Sequence, residues 1–262
     1  MPVPGLRHTG GRRGDGDEVG QADLRWSGRR VDRRPRVCHV IEMSGIRYRQ
    51  FCALARAAEI IGERWTLLIV RELLLGPTRF GDLAGRLDGV SPALLTGRLN
   101  ALIENGVVQR ATLPAPFNAQ VYELTEVGRA IQPAIRELIR WGGRFLFPMR
   151  EGDSFEPDWV LLALDAIARR TPTPACRIGL RIPHPGGTAD FIIEGGTEGT
   201  RVSKGEPAGS AMIETRFDVF LQILAKQLSL DTATASRQAR VEGNDRTLRK
   251  LPLLFDLATA RR

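Results

Sequence analysis

The hydrophobic pattern of residues 91–106 predicts a helix with one buried side. Its apolar positions are Leu95, Leu99 and Leu102, at the spacing of one helical face. Ser91 is typical of a helix N-cap, Pro92 of a first helical position and Gly106 of a C-terminal cap. The residues of the opposite face are Ser91, Thr96, Arg98 and Asn100. Such a helix could lie in a DNA major groove, but taken by itself it is more typical of an ordinary amphipathic surface helix.

The segment before this helix also has helical periodicity. Its apolar stripe consists of Leu54, Ala58, Ile61, Trp65, Leu68, Ile69 and Leu73. Gly62 is expected to divide the stripe into two helices, and Gly76-Pro77 to end the second. Thr78 is predicted to cap a short third helix that reaches Leu87. A turn of about three residues then leads to Ser91, which is the arrangement of a helix-turn-helix.

Two short strands and a longer helix are predicted after Gly106. Residues 107–110 and 121–124 are strand-like, and the loop between them is too long for a tight hairpin, so we interpret it as a wing. A helix starts at Thr125, and Pro133 should kink or split it. Its apolar stripe consists of Val127, Ile131, Ile135, Leu138 and Trp141. This stripe forms a dimer interface, or it packs on its own or the next domain.

The second half of the chain changes from helical to alternating periodicity. After a linker at 147–157, residues 159–168 predict a buried helix, and 177–182 and 189–194 predict half-buried strands. Shorter strands follow near 201–203, 211–215 and 240–243, with apolar helix faces around Phe220 and Leu251. We expect an α+β chain: a winged helix-turn-helix over 46–146, then an antiparallel sheet covered by helices over 158–258.

Charge distinguishes the two halves further. The net charge of the 262 residues is +8, and all but one unit of it lies in residues 1–146, as expected if that part meets a polyanion. Residues 1–42 are rich in Arg and Gly and lack apolar periodicity, so we interpret them as disordered. They are either a basic arm that contacts phosphates or sequence upstream of a true start at Met43.

Several protein classes are excluded by what the sequence lacks. No apolar run reaches membrane-spanning length, and the start has no signal-peptide core, so we expect a cytoplasmic protein with no membrane contact. The three cysteines are widely spaced, and the three histidines are scattered. No phosphate-cradling loop or nucleophile–base pair is present. We therefore expect no enzyme, cofactor or metal.

A family resemblance gives the N-terminal half a more specific interpretation. Cys52, the run Gly62-Glu-Arg-Trp65-Thr-Leu-Leu-Ile-Val-Arg71, and the later Gly89-Val-Ser91-Pro92 and Tyr122-Glu-Leu-Thr125 resemble the HxlR-type winged-helix transcriptional regulators. The resemblance covers about residues 50–146. It implies a homodimer that binds a palindrome in double-stranded DNA, with terminal helices pairing the subunits.

The candidate DNA-contacting residues follow from that geometry. They are Arg79, Ser91, Thr96, Arg98, Asn100, Arg110, Asn118 and Gln120. The family often carries a long side chain where this chain has Ala93, a Gln where it has Gly97, and an Arg at the wing tip. Fewer long donors are therefore available here, and affinity should depend more on Arg79, Arg98, Arg110 and DNA shape.

Cys52 is a second feature shared with the family. Some HxlR-type regulators sense electrophiles or oxidants through a cysteine at this place. Such a role needs a lowered thiol pKa, which a helix N-terminus with Arg47, Arg49 or Arg56 nearby would supply. The simpler interpretation is a buried small apolar residue, and we favour it.

The C-terminal half, about residues 158–258, is similar to sterol-carrier-protein-like domains in the order of its elements. This resemblance implies a cavity for a small apolar ligand. Its candidate lining is Trp159, Leu162, Phe191, Ile193, Phe217, Phe220 and Leu224, although ordinary cores use the same residues. The two competing functions are a ligand-responsive DNA-binding regulator and a lipid carrier that uses the winged helix only to dimerise.

Overall fold

The structure of the chain is a computed structural model that describes residues 47–148, 150–206 and 211–257. These residues belong to one compact unit, Ile41–Arg262. The predictions made for residues 1–42 and for a start at Met43 lie outside the described residues.

The described residues of the N-terminal half form six α-helices, a β-hairpin and a short 3-10 helix, Gly143–Phe145. Their bounds are α1 Ala53–Ile61, α2 Thr66–Leu74, α3 Phe80–Arg86, α4 Pro92–Glu104, β1 Val108–Thr112, β2 Gln120–Leu124, α5 Glu126–Arg129 and α6 Gln132–Gly142. β1 and β2 pair antiparallel from Val108 opposite Leu124 to Thr112 opposite Gln120. The order of elements is that of a winged helix-turn-helix, as the sequence predicts.

The helix boundaries follow from local chemistry. Gly62 ends α1, and the Ser91 hydroxyl oxygen accepts a hydrogen bond from the Leu94 amide at 3.3 Å, so both predictions are confirmed. Gly106 follows the C-cap of α4 with a left-handed φ of 68°, which glycine adopts at little cost. Pro133 lies in the first turn of α6, where its missing amide is tolerated, and the predicted helix is split in two before it.

Two local predictions for this half are wrong. Thr78 does not cap α3, because its hydroxyl donates to the Gly76 carbonyl at 2.9 Å and the N-cap is Arg79. Leu54 and Leu68 are exposed at 77% and 39%, although they continue the apolar stripe. The break after Gly62 gives α1 and α2 separate axes, so the stripe does not share one buried face.

The C-terminal half is a five-stranded sheet with helices. Its elements are α7 Trp159–Ile167, β3 Cys176–His184, β4 Gly187–Gly196, β5 Gly199–Lys204, β6 Ala211–Thr215, α8 Phe217–Leu224, α9 Leu230–Ala235, β7 Ala239–Gly243, α10 Asp245–Leu248 and α11 Leu251–Leu254. The strand order is β5-β4-β3-β6-β7. The short helix α9 was not predicted, because its sequence has no apolar period and its start depends on the Ser229 cap.

The fold class is α+β as predicted, but the sheet is mixed rather than antiparallel. β3 pairs parallel with β6, from Ile178 opposite Ala211 to Arg181 opposite Glu214, while the other strand pairs are antiparallel. Alternating residues reveal which side of a strand is buried, and they carry no information about the direction of its neighbour. The parallel pair arises because β4 and β5 form a meander on one side of β3, and the chain then returns to the other side.

Contacts of α6 with α7 and with the segment after α11 join the two halves. Arg136 Nε on α6 donates to Asp165 Oδ2 on α7 at 2.6 Å, and Arg140 Nη2 donates to the Asp256 carbonyl at 3.0 Å. Between α6 and α7, the described residues of the predicted linker, 147–148 and 150–157, form no helix or strand. The domain boundaries remain predictions.

Candidate nucleic-acid interface

The solvent-facing side of α4 carries most of the residues predicted for it. Leu95, Leu99 and Leu102 are at most 1% exposed and anchor the helix. Ser91, Thr96 and Asn100 are exposed on the opposite side. The remaining exposed positions of the helix are Pro92, Ala93, Gly97 and Glu104. The face is therefore low in relief and carries short hydrogen-bonding groups.

Gly97 lies in the middle of this exposed face. A Cβ added there would meet nothing within 4 Å, so internal packing does not require glycine. Glycine in a helix interior costs about 1 kcal/mol relative to alanine. The bare backbone instead leaves space on the outer surface of α4.

Arg98 does not lie free on the exposed face, which differs from the prediction. Its Nη2 donates to Glu63 Oε2 at 2.7 Å, in the turn between α1 and α2. Only about a quarter of the side chain is exposed. Helical periodicity places residue 98 at the edge of the buried stripe, and the partner that turns it inward is 35 residues away.

The wing is joined to α4 through Arg110 on β1. Its Nη2 donates to Asn100 Oδ1 at 3.1 Å, and its guanidinium lies 5.9 Å from the centre of the Tyr122 ring. Arg79, the N-cap of α3, is exposed. The adjacent Thr78 exchanges two backbone hydrogen bonds with Tyr122. The structure thus brings Arg79, Asn100 and Arg110 to one region around α4 and β1–β2.

The tip of the wing presents fewer free polar groups than predicted. Gln120 Nε2 donates to Thr112 Oγ1 at 2.8 Å across the hairpin, so its amide is already engaged. Asn118 is exposed with a left-handed φ of 37°. Phe117, which the sequence analysis did not single out, is 66% exposed beside it.

The sequence analysis did not identify a buried carboxylate on α2. Glu72 on α2 is fully buried; its Oε1 accepts from Arg71 Nε at 2.9 Å and from the Trp159 indole at 2.8 Å. Its Oε2 lies 3.5 Å from Arg86 Nη1 on α3. The Arg71 guanidinium lies 3.9 Å from the centre of the Trp159 ring, a cation–π contact. We call these four residues the Glu72 cluster.

The Glu72 cluster connects the helix-turn-helix to the C-terminal half. Burial lowers the pKa of Arg71, and the charge of Glu72 opposes that effect. Arg86 also lies 3.6 Å from Asp158 Oδ2, and Asp158 pairs with Lys204 on β5. An acidic residue inside the apolar stripe of α2 was the one sequence feature that could have indicated a buried ion pair.

The predicted dimer stripe is only partly available. Val127, Leu138 and Trp141 are exposed at 69%, 43% and 60%. Ile135 is buried, and Ile131 is half-buried against the N-terminal core. Further exposed apolar side chains lie near both ends of the N-terminal half: Tyr48, Phe51, Leu54, Phe145, Leu146 and Phe147.

Five of the seven residues proposed to line an apolar cavity belong to, or pack against, an ordinary core. Phe191, Ile193, Phe220 and Leu224 are at most 5% exposed within one packed cluster, and Phe217 packs against that cluster. Trp159 belongs to the Glu72 cluster, and Leu162 is half-buried on α7. Two surface cavities in the described part of the chain, of about 410 and 750 Å³, are lined by other and mostly polar residues. The structure therefore does not bring the seven residues together around a ligand space.

Cys52 is exposed at the N-cap of α1, so the favoured prediction of a buried residue is wrong. Arg56, one of the three arginines predicted to lie near the thiol, forms an ion pair with Glu59, with 2.8 Å between Arg56 Nη1 and Glu59 Oε2. Cys176 is half-buried on β3, and burial raises the pKa of its thiol. Of the two cysteines in the described residues, Cys52 is the more accessible.

Within residues 47–148, 150–206 and 211–257, no group of three or more His, Cys, Asp or Glu side chains is placed to hold a metal ion. Among the helices of those same ranges, none has both the length and the apolar character needed to cross a membrane.

Comparison with known proteins assigns the N-terminal half. A family model described as HxlR-like helix-turn-helix matches residues 60–150. The HTH-type transcriptional regulator YodB of Bacillus subtilis is 35% identical over 92 residues, which are 35% of this chain and 82% of that protein. The solved reduced form of YodB is 32% identical and covers 38% of this chain and all of that chain, with a TM-score of 0.33.

The uncharacterized HTH-type regulator Rv3095 of Mycobacterium tuberculosis H37Rv is 43% identical over 100 residues. The match covers 38% of this chain and 62% of Rv3095, so this chain spans less than two thirds of that relative. The family match ends at residue 150, and the five-stranded sheet lies beyond it. Both relatives carry the description HTH-type transcriptional regulator. The chain belongs to the HxlR-like helix-turn-helix family of transcriptional regulators.

Proposed function

We propose that this protein binds double-stranded DNA as a homodimeric, sequence-specific transcriptional regulator. The observation that carries the proposal is the exposed side of α4, with Thr96 and Asn100 on a helix anchored by three buried leucines. Arg110 extends this surface with a cation, and Arg79 is exposed at the start of α3. Short polar groups at base edges, flanked by guanidinium groups at phosphates, form a typical major-groove interface.

A homodimer is supported by exposed apolar side chains on and around α6. Val127, Leu138 and Trp141 are large and exposed, and the exposed Phe145 ring contacts Trp141 edge-on at 5.1 Å between ring centres. A surface of this kind is costly to leave in water and is typical of subunit contacts. Two copies related by a twofold axis would place their α4 helices in successive major grooves, about 34 Å apart.

DNase footprinting on the DNA upstream of the protein's own gene tests the proposal. We expect a protected pseudo-palindrome whose half-sites are one helical turn apart. The logarithm of affinity should fall linearly with the logarithm of salt concentration. Replacing Arg110 with alanine should weaken binding to all sequences and reduce that slope by about 1.

The exposed Thr112 of the same strand supplies a control for Arg110. Thr112→Ala removes a polar side chain from β1 without removing a charge, so its salt slope should equal that of the unmodified protein. Weak, salt-insensitive binding to every fragment, without a protected palindrome, would contradict the proposed function.

A role for Cys52 in regulation is supported by its accessibility. The thiol lies at the amide end of the nine-residue helix α1 and makes no capping hydrogen bond. Hydrogen peroxide would transfer one oxygen to the sulfur, giving a sulfenic acid, and leave as water. We expect peroxide to change operator affinity in the unmodified protein and in Cys176→Ser, and to have no effect in Cys52→Ser. An equal response of Cys52→Ser would exclude this thiol as the sensor.

Control by a small apolar ligand and the alternative function of a lipid carrier both depend on an apolar cavity. Five of the seven side chains proposed for its lining lie in or against the packed core, and no contact among the described residues favours either function.

A further inference from the structure

The ion pair between Arg98 and Glu63 connects the exposed helix α4 to the turn between α1 and α2. The bond of 2.7 Å is a charge-assisted hydrogen bond, and the two side chains are 25% and 33% exposed. Arg98 Nε is buried and has no hydrogen-bond partner among the described residues. The guanidinium is thus directed into the protein.

The position of Arg98 on α4 explains this direction. Leu95, Leu99 and Leu102 form the buried stripe, and Thr96, Gly97 and Asn100 form the exposed side. Arg98 lies at the border with Leu94 and Ala101, which are also half-buried. The buried leucines decide which face of α4 points inward, and a directional bond from this border to a turn fixes the finer rotation of the helix about its own axis.

We infer that Arg98 is a positioning residue: its bond to Glu63 sets the rotation of α4, so that Thr96 and Asn100 face the bases. Arg98 itself contacts neither base nor phosphate. This inference rests on the proposed DNA-binding function, and it reassigns a cation that the sequence analysis placed on the DNA. Binding side chains must be held within about 0.5 Å and 10–20° of their productive geometry, so the loss of one fixed bond reduces affinity.

Glu63→Gln is the decisive variant because positioning and simple electrostatics predict opposite changes in its affinity for DNA. Removing a negative charge near a polyanion should strengthen binding if charge alone mattered. If Glu63 instead holds Arg98, the substitution replaces a charge-assisted hydrogen bond by a weaker neutral one and should reduce operator affinity severalfold, by up to about tenfold. Glu104→Gln, an exposed acid on the same helix, is the matched control and should bind as well as the unmodified protein or better.

The salt dependence separates positioning from phosphate contact. Arg98→Met should lower affinity by a similar factor of about ten and leave the salt slope unchanged, whereas Arg110→Ala should reduce the slope by about 1. The double variant Glu63→Gln/Arg98→Met should bind no worse than either single variant, because both remove one shared interaction. Circular dichroism of each variant verifies that it is folded.

The alternative results are distinct from one another. Unchanged or increased affinity of Glu63→Gln, together with a reduced salt slope of Arg98→Met, would show that Arg98 contacts phosphate and would overturn the inference alone. The absence of a protected operator in the unmodified protein would overturn the proposed function, and this inference with it.

Discussion

Replacing Glu72 with alanine is expected to lower the free energy of unfolding by about 3–5 kcal/mol, the cost of removing one partner from a buried ion pair. The carboxylate is fully buried and receives hydrogen bonds from Arg71 and Trp159. Its loss leaves the partly buried Arg71 guanidinium and the Trp159 indole without their acceptor. Urea denaturation followed by circular dichroism measures the change.

Glu137→Ala is the matched control on the surface of the same half. Glu137 is 73% exposed and lies 3.7 Å from Arg140, a geometry that contributes about 0–1 kcal/mol. Trp159→Phe keeps one aromatic ring, but it removes the pyrrole part of the indole with its N–H donor, so we expect an intermediate loss of about 1–3 kcal/mol. Equal stability of the Glu72 and Glu137 variants would contradict a structural role for the Glu72 cluster.

The Glu72 cluster also links the helix-turn-helix to the C-terminal half of the chain. Glu72 and Arg86 lie on α2 and α3, the two helices that precede α4, and Trp159 begins the first helix of the C-terminal half. The second half of the chain therefore donates a hydrogen bond directly into the core of the helix-turn-helix. A rearrangement at the start of α7 would alter the support of α2 and α3 through this bond.

The helix-turn-helix was predictable because its boundaries depend on local chemistry. The Ser91 cap, the break at Gly62 and the start of α6 beside Pro133 each depend on residues within one turn. The three buried leucines of α4 follow from helical periodicity alone. Such features require no knowledge of the remainder of the chain.

The orientation of long polar side chains was not predictable, because their partners are distant in sequence. Arg98 meets Glu63 across 35 positions, and Trp159 meets Glu72 across 87. Periodicity places a residue near the border of a helix face, and a partner from another element then decides where the charge lies. The parallel pairing of β3 and β6 was missed for a related reason, since alternation leaves strand direction open.

The accessibility of Cys52 illustrates the same limit. Free cysteine is commonly buried, so residue type favoured an interior position for Cys52. The residue lies at the N-cap of α1, where the adjacent Phe51 is fully exposed and Leu54 is 77% exposed. Among the described residues, three of the four in the first turn of α1 (53–56) are exposed, so residue type alone could not predict the burial of this segment.

Phe191→Ala is expected to destabilise the protein by about 3–5 kcal/mol, the typical cost of truncating a buried aromatic side chain. Phe191 is fully buried on β4, opposite Leu180 of β3 and Lys204 of β5, and its ring packs within the apolar core of the C-terminal half. If the side chain instead faced an empty ligand cavity, truncation would remove few contacts and cost much less, because stability depends on the neighbours lost. The same variant therefore distinguishes packed core from an apolar ligand site.

Phe117→Ala at the tip of the wing is the control, because it makes the same substitution at an exposed position. Phe117 is 66% exposed, and we expect a change within about 0.5 kcal/mol. Urea denaturation of both variants gives the comparison, and a loss below about 1 kcal/mol in Phe191→Ala would revive the apolar cavity as a hypothesis.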